Sequence, residues 1–116
     1  METAATIVVA LVALLHAWFL VLEMFLWTKP AGLKTFRLTP EFAAQSRVLA
    51  ANQGLYNGFL AAGLAYGLAT HSREIVLLFL VFVIAAGLYG AATVNRRIFF
   101  VQALPAIVGL ALVAWR

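Results

Sequence analysis

Apolar residues run through this chain in long blocks, not in the short alternations of a half-buried sheet or the half-polar stripes of a soluble helix. Leaving out only Lys, Arg, Asp and Glu, four charge-free runs emerge at residues 3–22, 48–72, 75–95 and 98–115, holding 20, 25, 21 and 18 residues. A helix rises about 1.5 Å per residue, so about 20 apolar residues cross a hydrocarbon layer about 30 Å thick. Each run is long enough to cross, or nearly so. Helix is the required form, because backbone groups facing lipid must bond within their own segment and four strands are too few to close a barrel. The pattern predicts an all-α, integral membrane four-helix bundle in up-down-up-down order. It forms a single transmembrane domain over residues 1–116, with spans at about 4–27, 46–69, 74–95 and 98–115 and an interfacial loop at 28–39.

Local signals place the boundaries. Thr39-Pro40-Glu41 offers an N-cap hydroxyl, a proline for the first helical position and an acid for the first turn, so the second helix should begin near residue 40. Ser72 and Glu74 do the same for the third. Between Trp27 and Leu38 the residues Lys29, Lys34 and Arg37 mix with Leu33 and Phe36, a composition suited to lying on headgroups. Trp27 and Trp115 fall at span ends, where interfacial aromatics belong. The first run follows Met-Glu-Thr without a basic leader, and no small-residue cleavage site comes after it, so it is expected to be retained and not removed as a signal peptide.

Composition agrees: the chain is 66% hydrophobic and 10% charged, against about 45–50% and about 25% in soluble domains. With no cysteine, disulfides, thiolate metal clusters and thiol nucleophiles are excluded. The net charge of +4 is concentrated in two connections. Lys29, Lys34 and Arg37, with Arg47 just inside the next helix, mark the first, and Arg96 and Arg97 the third; the second, residues 71–74, is nearly neutral. By the positive-inside rule the first and third loops are cytoplasmic and both termini lie outside. The expected location is a bacterial inner (cytoplasmic) membrane, crossed several times. The charge serves the inner leaflet, so nucleic acid is not an expected partner.

The informative residues are the polar ones inside the spans, where ionisable groups are costly and usually face a bundle interior or a water-filled cavity. His16 and Glu23 are seven residues apart, close to two full turns, and share one face of the first span. In the second, Asn52, Gln53, Tyr56 and Asn57 fall within an arc of about 140°. Because the first two spans run antiparallel, Glu23 is level with Asn52 and Gln53 on the cytoplasmic side, and His16 with Asn57 and Tyr56 near the midplane. Tyr89 and Thr93 in the third span and Gln102 in the fourth lie toward the same inner half. A polar cleft in that half is the expected site, with His16 and Glu23 as proton-exchanging, catalytic groups. Asn52, Gln53, Tyr56, Asn57, Tyr89 and Gln102 would orient a ligand, and Arg47, Arg96 and Arg97 would mark the boundary or hold a headgroup.

Each of these residues also has a plainer role open to it. The amides and Tyr89 can be interhelical glue, worth about 0.6 kcal/mol each on average. Glu23 can snorkel to the inner interface, whereas His16 sits mid-span and has no such escape. On another face of the second span Ala50, Gly54, Gly58 and Ala62 recur every four residues. That track suits close packing inside one chain or a seam between two copies. Pro105 is expected to kink the last span and free a carbonyl near Val101 and Gln102.

No GxSxG, phosphate-binding loop, GxGxxG or HExxH occurs. One histidine and one carboxylate in the spans are thin for zinc or iron, and no metal or cofactor is called for.

The stretches HAWFLVLEMFLW (16–27), FRLTPEF (36–42), LAANQGLYNGFLAAGL (49–64), GLYGAATVNRR (87–97) and VQALPA (101–106) resemble a family of small bacterial four-span membrane proteins, the domain-of-unknown-function family numbered thirteen-oh-four. The resemblance covers nearly the whole chain and implies membership without implying an activity. Small multidrug-resistance transporters are similar in outline, with four short spans and an acid in the first, but the sequence around Glu23 differs from theirs. Membrane-associated glutathione and eicosanoid enzymes also have four helices, yet Arg47 and Asn52 are spaced differently from their motif and no glutamate follows Asn52 at the next turn.

The expected function is to bind, and in its stronger form to transform, a lipid-like or amphipathic small molecule in the inner-half cleft. Two alternatives stand beside it. One is a proton-coupled exporter acting as a homodimer through the Ala50, Gly54, Gly58, Ala62 face; the other is a structural or assembly subunit in which every polar group is glue.

Overall fold

The computed structural model describes residues 1–115. Among them the chain is helical throughout, without a strand: α1 Thr3–Met24, α2 Pro30–Phe36, α3 Pro40–Ala69, α4 Arg73–Thr93, a π-helical segment Phe99–Ala103, and α5 Leu104–Ala114. Two of these, α1 and α4, are long and apolar enough to cross a membrane. The amides at 52, 53 and 57 make α3 less apolar, and the run from Phe99 to Ala114 is apolar but shorter.

The chain divides into two compact units. The first joins Met1–Leu14 to everything from Leu60 on. Its core is Ala5, Val9 and Val12 of α1, Leu64 of α3, Val76, Leu80 and Val83 of α4, and Ala106 and Val113 of α5. The capping chemistry read from the sequence is in place: Ser72 Oγ accepts from the Ile75 amide at 3.3 Å and opens α4. Immediately before it α3 closes with His71 in the left-handed region (φ 54°), the Ser72 amide donating to Gly67 O at 2.9 Å and the His71 amide to Leu68 O at 3.2 Å. Arg73 then reaches α5, where its Nε donates to Val113 O (3.2 Å) and its Nη2 to Ala114 O (3.4 Å), satisfying carbonyls that a helix end leaves open. Gly87 lets α4 touch the π segment backbone to backbone. A Cβ there would lie 2.7 Å from the Ala103 nitrogen and 2.9 Å from its Cα.

That segment answers the expectation of a kink at Pro105. Proline has no N–H to give the carbonyl four residues earlier. The chain shifts to i→i+5 pairing just before it, with the Leu104 amide on Phe99 O, so that carbonyls in this turn are served by the residue beyond the usual donor.

The second unit is Leu15–Phe59: the end of α1, α2 and the first two-thirds of α3. Thr39 Oγ1 accepts from the Phe42 amide at 3.2 Å, and Pro40 opens α3 as expected. The 28–39 stretch is not only loop, since Pro30 starts the short helix α2 and Arg37 ends it in the left-handed region (φ 55°). Gly32 seats α2 against the turn that follows α1, where a Cβ would lie 2.8 Å from Trp27 O. Trp27 packs against Phe36 with ring centroids 5.0 Å apart and planes tilted by 44°, and donates its indole N–H to Ser46 Oγ at 3.0 Å, tying the turn after α1 to α2 and α3. Lys29, Lys34 and Arg37 are left exposed.

Candidate functional site: a buried carboxylate held by two amides

The site forms because one stripe of α1 changes character along its length. Ala5, Val9, Val12, His16 and Glu23 are all buried, at the four-three spacing of a single helix face. Ile7, Leu11, Leu14 and Trp18 lie exposed on the rest of the helix. An aliphatic seam thus continues as an imidazole and a carboxyl group. His16 is 0% exposed and Glu23 3%. Snorkelling is therefore not what Glu23 does.

On α3 the matching stripe is Ala43, Ala50, Gly54 and Asn57. Gly54 and Gly58 admit α1 at close range: a Cβ on Gly54 would sit 2.7 Å from Met24 Cγ, 3.0 Å from Glu23 Cβ and 3.2 Å from Leu20 O, and one on Gly58 2.5 Å from Leu20 Cδ1. This approach brings Glu23 to its partners. Gln53 Nε2 donates to Glu23 Oε2 at 2.8 Å, and Asn57 Nδ2 donates to Glu23 Oε1. Asn57 is 8% exposed, whereas Gln53 is an exposed residue. The cluster is closed on the Asn57 side and reaches the exterior at Gln53.

The expected depth was nearly right, and the choice of amides was wrong in part. Glu23 meets Gln53 as expected but Asn57 in place of Asn52. Helical Cα–Cβ bonds tilt toward the N-terminus. Glu23 therefore reaches back along α1 while Asn57 reaches back along α3, and in an antiparallel pair those directions converge. Asn52 and Tyr56 lie on the far side of the four-residue arc and are exposed, the Tyr56 ring standing edge-on to Phe59 at 5.9 Å. His16 is packed edge-on against Phe19 at 5.3 Å, two turns from Glu23 along α1.

Arg47 is exposed on α3. Tyr89, Arg96, Arg97 and Gln102 belong to the other unit, where the first three are exposed and Gln102 lies half-buried in the π segment. Cavities of about 280 and 470 Å3 also lie in that unit, around Glu2, Leu112 and Trp115 and around Thr6, His71 and Arg73; no candidate residue lines either. What stands at Glu23 is a hydrogen-bonded cluster. Among the described residues no three His, Asp or Glu side chains gather where they could hold a metal ion. The sequence shows Arg73 only as part of the second connection and gives no sign of its bonds to α5; for Gly32 the signal is that it is the lone glycine among the basic residues of 28–39.

These features define a small all-helical protein with two helices able to cross a membrane and a buried acid fixed by amides of the facing helix. The particular assignment follows from comparison with known proteins. The family described as Protein of unknown function (DUF1304) matches residues 10–114, and the chain belongs to it. It is 34% identical over 113 residues to Uncharacterized protein YpaA of Lactococcus lactis subsp. lactis (strain IL1403), an alignment covering 93% of this chain and 95% of the relative. No solved structure is significantly similar.

Proposed function

We infer that the protein is a four-span membrane protein whose Glu23 cluster binds the polar end of a lipid-like or amphipathic small molecule, with His16, two turns away on the same buried face of α1, as a second proton-exchanging group. The surfaces of the helices support the membrane reading. Apart from the buried His16 and Glu23 of α1 and the first turn of α4, these two helices are apolar on their buried and their exposed faces alike, and α3 exposes Val48, Leu49, Leu55, Phe59 and Tyr66. Helices apolar all round suit a hydrocarbon solvent. The exposed Lys29, Lys34, Arg37, Arg47, Arg96 and Arg97 then stand at the cytoplasmic edge of an inner membrane, with both termini outside.

The observation that carries the binding reading is the fate of Glu23. An acid near a span end has an inexpensive escape to the interface. This one is instead buried and aimed at α3, an arrangement typical of functional intramembrane groups. Gln53 provides its route to the outside. Gly54 and Gly58 pack on α1 of the same chain, which favours a site completed within one copy over the homodimeric exporter.

A thermal-shift screen of the purified protein against a library of lipids and amphiphiles tests the reading. The wild type gains stability with one class of amphiphile, by about 2.7 kcal/mol at a hundredfold excess over Kd. Glu23→Gln and His16→Ala stay folded and lose that gain. Equal stabilisation of all three proteins rejects the role of both residues and leaves the assembly-subunit alternative.

A further inference from the structure

The partners of Glu23 are two neutral amides, and neither brings a positive charge to a carboxyl group that is 3% exposed. A buried carboxylate is costly unless it is both hydrogen-bonded and paired. Here the hydrogen bonds are in place, and among the described residues no opposite charge is bonded to the carboxyl group. The amides also restrict what can supply it. Both turn their nitrogens to the carboxylate, where N–H donors would oppose a metal ion, which needs oxygens. A group that itself donates N–H bonds fits in their place. An alcohol would only exchange one neutral donor for another, whereas an ammonium adds the missing charge and with it a Coulomb attraction that strengthens as water is excluded.

The side from which such a group could arrive is also specified. Gln53 is the exposed member of the cluster, while Asn57 is buried. One turn on from Gln53, on the neighbouring part of the α3 surface, Tyr56 presents an exposed ring backed by Phe59. Aromatic faces attract cations. On the same strip of α3, Leu49 lies one turn before Gln53 and Phe59 one turn after Tyr56, both exposed, with the exposed Asn52 between them.

We propose that the ligand's polar end is a cationic nitrogen on an apolar body, and that it docks on Glu23 by displacing the Gln53 amide while Tyr56 lies against it. The assignment rests on the reading of the cluster as a binding site. It makes the substrate class hydrophobic amines and ammonium ions, and gives Gln53 the part of a side-chain gate.

The test compares decylammonium with decanol, probes of equal chain length, by equilibrium dialysis against the full-length protein in phosphatidylcholine nanodiscs, with empty discs subtracted. The wild type binds decylammonium more tightly than decanol by about tenfold or more, the scale of one hydrogen bond to a charged group. Glu23→Gln loses the preference and Glu23→Asp restores part of it. Wild-type protein binding both probes alike, or Glu23→Gln retaining the preference, overturns the cationic assignment. No saturable binding of either probe overturns the binding reading beneath it. The wild-type comparison needs no variant, so a substitution that fails to fold does not shield the proposal.

Discussion

The contact between Asn57 and Glu23 separates a working acid from ordinary interhelical glue by magnitude, through a double-mutant cycle of Glu23→Ala, Asn57→Ala and the pair. In the wild type, Asn57→Ala strips the buried Oε1 of its donor and leaves the carboxyl group with only Gln53. A hydrogen bond to a charged group is worth about 1.5–3 kcal/mol, and a buried orphan costs a similar amount. In the Glu23→Ala background the same substitution removes an amide that has already lost its acceptor, so its cost falls below about 1 kcal/mol. The expected coupling is about 1.5 kcal/mol, well above the average of about 0.6 kcal/mol for hydrogen bonds between membrane helices. Reversible unfolding by SDS in mixed micelles measures all four proteins on one scale. A coupling of about 0.6 kcal/mol or less would refute the argument that this carboxyl group needs its amide, and would make Asn57 one more piece of glue.

Two further outcomes follow from the packing. Gly87→Ala drives a methyl into the Ala103 backbone, which cannot swing aside, and should cost about 1–3 kcal/mol; at Gly109 the same change meets Val8 Cγ1 at 3.5 Å and Leu80 at 3.6 Å, ordinary contact, and should be neutral or stabilising by up to about 1 kcal/mol, so thermal melts of the two variants should move in opposite directions or at least differ clearly. Arg73→Met removes both donors to the end of α5 and should speed hydrogen exchange of the last turn of that helix while leaving the amides of α4 unchanged; equal protection in both proteins contradicts a capping role.

The sequence made helix starts easy to read because they are set by neighbours: Thr39 and Pro40 open α3, and Ser72 opens α4, through bonds spanning three residues. The burial of His16 and Glu23 was legible for a similar reason, since a seven-residue spacing fixes a shared face whatever packs against it. The identity of the second amide was not. Four polar residues over about 140° offer two possible edges to a neighbour, and only the small stripe at Ala50 and Gly54 tells which edge turns inward. That stripe was visible but had two uses, and sequence does not weigh them. The α2 helix, seated by Gly32 and ended at Arg37, depends on contacts made after folding, as does the reach of Arg73 to α5.

The π segment has a consequence for how this chain can vary. A turn of that kind holds one residue more than its α counterpart, so every side chain beyond it is rotated by about 100° from where an uninterrupted helix would carry it. Phe99 and Phe100 therefore point by one phase and Ala106, Gly109 and Val113 by another, and it is the second phase that sinks small residues into the core. Losing a single residue between 99 and 103 would heal the hydrogen-bond ladder and, in the same stroke, turn the buried edge of α5 outward. In this part of the protein, length is more constrained than composition.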